Sequence, residues 1–154
     1  MLLQAADLRF GYQETPVIDG VSLAIPRGRI LGILGPNGSG KTTLLKLLAG
    51  TLVPASGQVL FDGVDARTLG RQTLARRLAV VPQDTHLAFD YSVIEIVLMG
   101  RYPHLRAMQM EGPADVEIAR RALAATGTDG LERRAFTTLS GGERQRVVIA
   151  SALA

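Results

Sequence analysis

The sequence predicts an α/β fold, and three observations carry that prediction. An apolar run, Ile30 to Leu34, leads directly into a glycine-rich stretch and then into a helix-period segment from Lys41 through Leu48. Runs of strand character flank this centre, at Leu2 to Phe10, Val17 to Ile25 and Gln58 to Phe61. From Ser92 onward the apolar spacing turns helical.

Taken in order, Leu2 to Phe10 alternates imperfectly and ends at Gly11-Tyr12, while Val17 to Ile25 is closed by the turn Pro26-Arg27-Gly28. Ile30 to Leu34 is read as a third strand. The helix from Lys41 carries Leu44, Leu45, Leu47 and Leu48, with Gly50 placed to end it. Pro54 to Gly57 reads as a turn, and Asp62-Gly63 after the next strand as a hairpin signal. Leu69 to Arg77 reads as a basic helix, and Leu78 to Val81 as an apolar strand stopped by Pro82. Ser92 with Glu95 makes a capping box for a helix ending by Gly100. Pro113 opens another helix to about Thr126, with Val116, Ala119, Leu123 and Ala124 on one face. In the last segment Val147, Val148, Ile149 and Leu153 suit a buried helix.

Composition bounds the function. The 154 residues, 47% hydrophobic, suffice for one globular unit with a substantial core. A net charge of only +3 makes a basic patch for nucleic acid an unfavoured reading. Cysteine is absent, which excludes disulfides and thiolate metal sites and is compatible with a reducing cytoplasm. No apolar run approaches the roughly 18 residues that span a bilayer, and Met1 to Phe10 lack the pattern of a secretory signal. Any membrane role is therefore expected to be by docking.

The chemistry centres on Gly35-Pro36-Asn37-Gly38-Ser39-Gly40-Lys41-Thr42-Thr43. Its spacing matches the Walker A pattern, in which a strand-to-helix loop wraps main-chain N–H groups around a phosphate chain. Glycines permit close approach and left-handed backbone, and the helix N-terminus adds unpaired N–H groups and partial positive charge. Lys41 supplies a cation and Thr42 a hydroxyl for Mg²⁺. Downstream, Ser140 is a good N-cap, Glu143 completes a capping box, and Gly141-Gly142 leave the N–H groups of that helix start uncovered. This makes a second candidate anion site.

Leu139-Ser140-Gly141-Gly142-Glu143-Arg144-Gln145, 98 positions after Lys41, resembles the signature motif of the ATP-binding cassette (ABC) family. Two single positions resemble further family features: Tyr12 the aromatic that stacks on adenine, and Gln83, after Val80-Val81-Pro82, the Q-loop glutamine that reaches Mg²⁺ and the attacking water. The resemblance implies a P-loop NTPase of ABC ATPase type with an antiparallel β subdomain and a helical subdomain. It divides the chain at about 1–83 for the nucleotide-binding core and β subdomain, about 84–138 for the helical subdomain, and 139–154 for the signature and its helix. ATP and Mg²⁺ are the implied cofactors, with Lys41 and Gln83 in catalytic roles and Thr42 and Gln83 on the metal. Ser140, Gly141, Gly142 and Glu143 would cover the ATP held by a second copy, head to tail. Val93 to Leu105, with Gly100-Arg101-Tyr102-Pro103-His104, is similar to ATPases that energise uptake of ferric siderophores, haem or cobalamin. Permease subunits, an indirect solute-binding protein and a place on the cytoplasmic membrane face follow from that likeness.

The family's Walker B strand, catalytic Glu and switch histidine lie beyond the signature helix, where this sequence stops, so the chain is expected to be a fragment, poorly stable alone and without significant turnover. Val59-Leu60-Phe61-Asp62 is followed by Gly63 and reads as a hairpin, and His86 and His104 precede the signature, so none of these substitutes. Two other classes stand as alternatives: a soluble ABC ATPase acting on nucleic acid or ribosomes, and a nucleotide-binding module without turnover.

Overall fold

The structure, a computed structural model, describes residues 1–83 and 89–154. His86 and the first residues of the expected helical subdomain lie outside the described residues. The described backbone forms two compact units, Met1–Leu74 and Ala75–Ala154.

The first unit is built on a four-stranded antiparallel sheet of order β2-β1-β3-β4, with β1 at Leu3–Tyr12, β2 at Thr15–Ile25, β3 at Ser56–Phe61 and β4 at Val64–Asp65. The imperfect alternation of β1 has a physical cause. Leu3, Ala5 and Leu8 are all buried, a spacing of two and then three, because the register shifts on both sides of Asp7, whose φ is 46°. That bulge turns the strand so that its third apolar side chain again points inward. Asp62 and Gly63, with φ of 49° and 80°, form the tight β3–β4 turn that two left-handed residues allow. Strand β3 begins at Ser56, so Ser56 and Gly57, read from sequence as part of a turn, are already in the ladder.

Helix α1, Lys41–Leu48, buries Thr43, Leu44, Leu47 and Leu48 and packs against β2, while Leu45 stays exposed. Gly50, at φ 69°, ends it as expected, donating to the Leu47 carbonyl at 3.0 Å. Helix α2 is shorter than the sequence suggested, Arg71–Ala75.

Two expected strands are absent from the described structure. Ile30 to Leu34 and Leu78 to Val81 join no ladder, and Ile30 and Leu34 are 101% and 95% exposed. A strand exists through pairing, and an inner strand of a parallel sheet needs neighbours on its edges and cover on its faces. Neither segment has such a neighbour among the described residues.

In the second unit α3 (Val93–Met99), α4 (Pro113–Ala125) and α5 (Gly141–Leu153) pack around one core. Val93, Ile96 and Val97 meet Ala119, Ala122 and Leu123, and both sets meet Val147, Val148 and Ala150, with Phe136 and Leu139 closing the end. The inward stripe of α4 thus runs through Ala122, and Ala124 is exposed. On α5 Ile149 and Leu153 are exposed rather than buried, because Val147, Val148 and Ala150 define its inner face. The backbone also pairs Tyr91 with Phe136 and Val93 with Arg134 across an isolated bridge.

Candidate functional site

The loop from Gly35 to Gly40 enters α1 without a side-chain cap, because Gly40 is itself the N-cap and lies in left-handed backbone at φ 84°, ψ 6°. Gly38 is also left-handed, at φ 80°. A Cβ at Gly40 would sit 3.1 Å from the Val17 carbonyl oxygen and 3.0 Å from Ile18, so the glycine lets the start of α1 lie directly on β2. A Cβ at Gly35 would fall 2.8 Å from the Ser39 hydroxyl. Lys41 turns back over the loop, its Nζ donating to the carbonyls of Gly35 at 2.9 Å and Pro36 at 2.7 Å. The Ser39 N–H donates to the Pro36 carbonyl at 3.3 Å. No acidic residue occupies the first turn of α1. Asn37 is exposed at the loop's tip, Thr42 is exposed at the second helical position, and Thr43 is buried.

Tyr12 closes β1 about half-exposed, its ring set edge-on to Phe10 with centroids 5.0 Å apart. Phe10 pairs with Ile18, the residue that Gly40 approaches, so the aromatic end of the β1–β2 hairpin and the glycine loop share one neighbourhood. Gln83 belongs to the second unit and is an exposed residue in a bend.

At the second glycine motif Ser140 is the N-cap of α5. Its N–H donates to Glu143 Oε2 at 2.8 Å and its hydroxyl to the same oxygen at 2.7 Å, while the Glu143 N–H donates back to Oγ at 3.4 Å. Helix α3 carries a similar device, with the Ser92 N–H and hydroxyl donating to Glu95 Oε2 at 2.7 and 2.6 Å. The two starts differ in what happens to the next amides. On α3 the Val93 and Ile94 N–H groups donate to the carbonyls of Arg134 and Glu132, each at 3.0 Å. On α5 the N–H groups of Gly141 and Gly142 have no backbone partner among the described residues, and nothing lies within 4 Å of where a Gly141 Cβ would be. Capping explains Ser140 and Glu143; it does not explain two consecutive glycines, whose effect is an open pair of donors at a helix N-terminus. Sequence reasoning could compare the two boxes but had no signal for the carbonyls that close the first.

The Ser140 amide, then its hydroxyl, holds the Glu143 carboxyl below its ordinary range, with Arg134 and Arg146 adding attraction. Glu95 and Asp115 are lowered by the same kind of cap bonding. A folded-state value below the unfolded one means stability that is complete above the ordinary carboxylate range and lost as pH falls through the folded value. The unfolding midpoint is therefore expected to drop steeply below about pH 4, with Glu143→Gln shallowing that limb, after a milder decline from pH 7 set by His104, whose imidazole is held below its ordinary value chiefly by burial. Thermal melts across that range check it; an acid limb identical in the variant counts against the Glu143 assignment.

A lysine-bridged glycine loop at one helix start, and a Ser/Glu cap followed by two open glycine amides at another, are the equipment of a P-loop ATPase fold. The family model for the ABC transporter matches residues 18–154, and the chain belongs to that family. It is 44% identical over its full length to the hemin import ATP-binding protein HmuV of Bordetella pertussis and covers 58% of that protein. It is 40% identical, again over its full length, to the cobalamin import ATP-binding protein BtuD of Halobacterium salinarum, covering 38% of it. Among solved structures, one described as a metal-chelate type ABC transporter in an inward-facing conformation superposes with a TM-score of 0.81 at 34% identity, over 98% of this chain and 54% of that one. The chain thus spans between 38% and 58% of the length of these curated relatives. The ABC ATPase fold expected from the two glycine motifs is the fold observed.

Proposed function

We propose that the protein carrying this chain is the ATP-binding and ATP-hydrolysing subunit of an ABC importer, energising uptake of a metal chelate such as a ferric siderophore, haem or cobalamin. The observation that carries the reading is the pair of helix starts at Gly40-Lys41, where a Cβ on Gly40 would crowd Val17 and Ile18, and at Ser140-Gly142, where the glycine amides have no backbone partner among the described residues. The names of the hemin and cobalamin import relatives support the substrate class.

In this reading the amides of Gly38 to Lys41 cradle the phosphates, within the run Gly35 to Thr43, and the Lys41 ammonium leaves its carbonyl partners to meet their charge. Thr42 and Gln83 present exposed oxygen donors of the hard type that Mg²⁺ takes. When bound, the metal supplies neutralisation of the phosphate oxygens. Tyr12 offers its ring face to adenine. Ser140, Gly141, Gly142 and Glu143 close over the nucleotide of a second copy, so two chains work head to tail. About 84–138 forms the surface that meets the permease subunits, a solute-binding protein delivers cargo to them, and the subunit sits peripherally on the cytoplasmic membrane face. Among the described residues no helix is long and apolar enough to cross a membrane, which fits attachment by docking.

Calorimetric titration with Mg-ATP, paired with phosphate release, tests the reading. The full-length protein is expected to bind one ATP per chain and release phosphate, and the 154-residue chain to turn over at least about a hundredfold more slowly. Absence of ATP binding by the full-length protein sinks the proposal, and equal turnover by the 154-residue chain overturns the expected difference. Retention on RNA or DNA that weakens steeply with salt would favour the nucleic-acid alternative.

A further inference from the structure

One strap, residues 132–139, joins the start of α3 to the start of α5. Its Glu132 and Arg134 carbonyls accept from the Ile94 and Val93 N–H groups, each at 3.0 Å, its Ala135 bridges to Ser92, and its Phe136 N–H donates to the Tyr91 carbonyl at 2.9 Å. The backbone ladder ends there. One residue on, the Thr137 hydroxyl donates to Asp90 Oδ1 at 2.7 Å, and among the described residues this is the last bond between the strap and segment 89–94 before Ser140. Asp90 is itself braced by its neighbours. The Tyr91 N–H donates to the Phe89 carbonyl at 3.2 Å, and the two rings meet edge-on with centroids 6.2 Å apart.

The anchors of the strap act in different ways. Phe136 and Leu139, 2% and 4% exposed, sink it into the helical core. Apolar burial is non-directional, so it fixes how deep the strap lies and leaves its heading along the surface less determined. A short bond from a hydroxyl to a carboxylate is directional. The cap of α5 does not need that bond, since Ser140 and Glu143 complete their box between themselves, and Thr137 is exposed and adds nothing to the core. We propose that Thr137, through Asp90, is a positioning residue for the Ser140-Gly141-Gly142 turn, setting the heading with which that turn meets nucleotide. The inference rests on the ATPase reading above. It assigns no contact between ATP and either Thr137 or Asp90.

An exposed hydrogen bond of this kind is partly replaced by water when one partner is removed, so its loss is expected to shift the aligned population by about three- to tenfold and to leave the fold standing. The test uses the full-length protein with T137V, T137S, D90A, D90N, the double variant D90A/T137V, and S140A, measuring kcat, KM for ATP, and ATP stoichiometry by calorimetry. The expected kcat is about three- to tenfold lower in T137V and D90A, with no further loss in the double variant because both changes break the same bond. T137S keeps the hydroxyl donor and D90N an oxygen acceptor, so both are expected within about twofold of wild type, with KM within about twofold and full stoichiometry throughout. A wild-type kcat in T137V or D90A overturns the proposal, as does a T137S as slow as T137V or a double variant whose losses multiply. So does a joint fall of kcat and stoichiometry, the mark of a merely structural role. If T137V fails to fold, D90A and D90N decide by the same criteria. A wild-type protein without ATP turnover, or an S140A variant with normal kcat, overturns the ATPase reading itself; S140A slow with T137V and D90A normal overturns only the role given to Thr137.

Discussion

Replacing Lys41 with alanine is expected to lower ATP turnover of the full-length protein at least about a hundredfold, and ATP-driven uptake with it. Two losses combine. The ammonium is the cation best placed to meet phosphate oxygens at the start of α1, where no acidic side chain competes. It is also the tie that holds the loop, through its bonds to the Gly35 and Pro36 carbonyls at 2.9 and 2.7 Å. The fold should survive, since the ammonium lies over an exposed loop while the inward face of α1 is formed by Leu44, Leu47 and Leu48. Thermal melts of the variant within a few degrees of wild type would separate lost chemistry from lost structure. Unchanged uptake would refute the assignment.

Gly57→Ala is expected to be the most damaging single methyl group in the first unit. Gly57 has φ 85°, and its Cβ would lie 2.6 Å from the Asp7 carbonyl carbon, with the Asp7 and Ala6 oxygens nearer still. The clash is with backbone held in the β1 bulge, which cannot swing aside as a side chain could. Left-handed strain and overlap together should cost about 3 kcal/mol or more, a large fraction of a domain's stability. Gly63→Ala is the control: its φ is also positive, 80°, but nothing lies within 4 Å, so about 1 kcal/mol is expected. Urea unfolding midpoints compare the two directly. Equal effects would show that backbone strain alone, without the close approach, accounts for Gly57.

Much of this architecture was legible in residue order because local chemistry decided it. The capping boxes at Ser92 and Ser140, the Pro113 helix start, the hairpin at Asp62-Gly63 and the stop at Gly50 all rest on interactions within a few residues. The two glycine motifs were readable for the same reason, since each is a continuous run. What could not be read depends on distant partners. Apolar spacing made Ile30 to Leu34 a strand, yet strands are completed by neighbours, and these residues have none in the described sheet. Ile149 and Leu153 looked like core until the crossing of α5 over α3 and α4 selected Val147, Val148 and Ala150 instead. The bulge at Asp7 and the carbonyls that close the start of α3 join residues far apart in sequence, and no short pattern announces them.

The hydroxyl of Ser140 is already engaged, its proton pointing at Glu143 at 2.7 Å. Any incoming acceptor must take over that proton rather than find it idle, so docking there trades one hydrogen bond for another of similar strength. Such a swap yields little net energy and depends steeply on alignment. In the reading proposed above, the hydroxyl then serves alignment, and the open Gly141 and Gly142 amides supply the attraction.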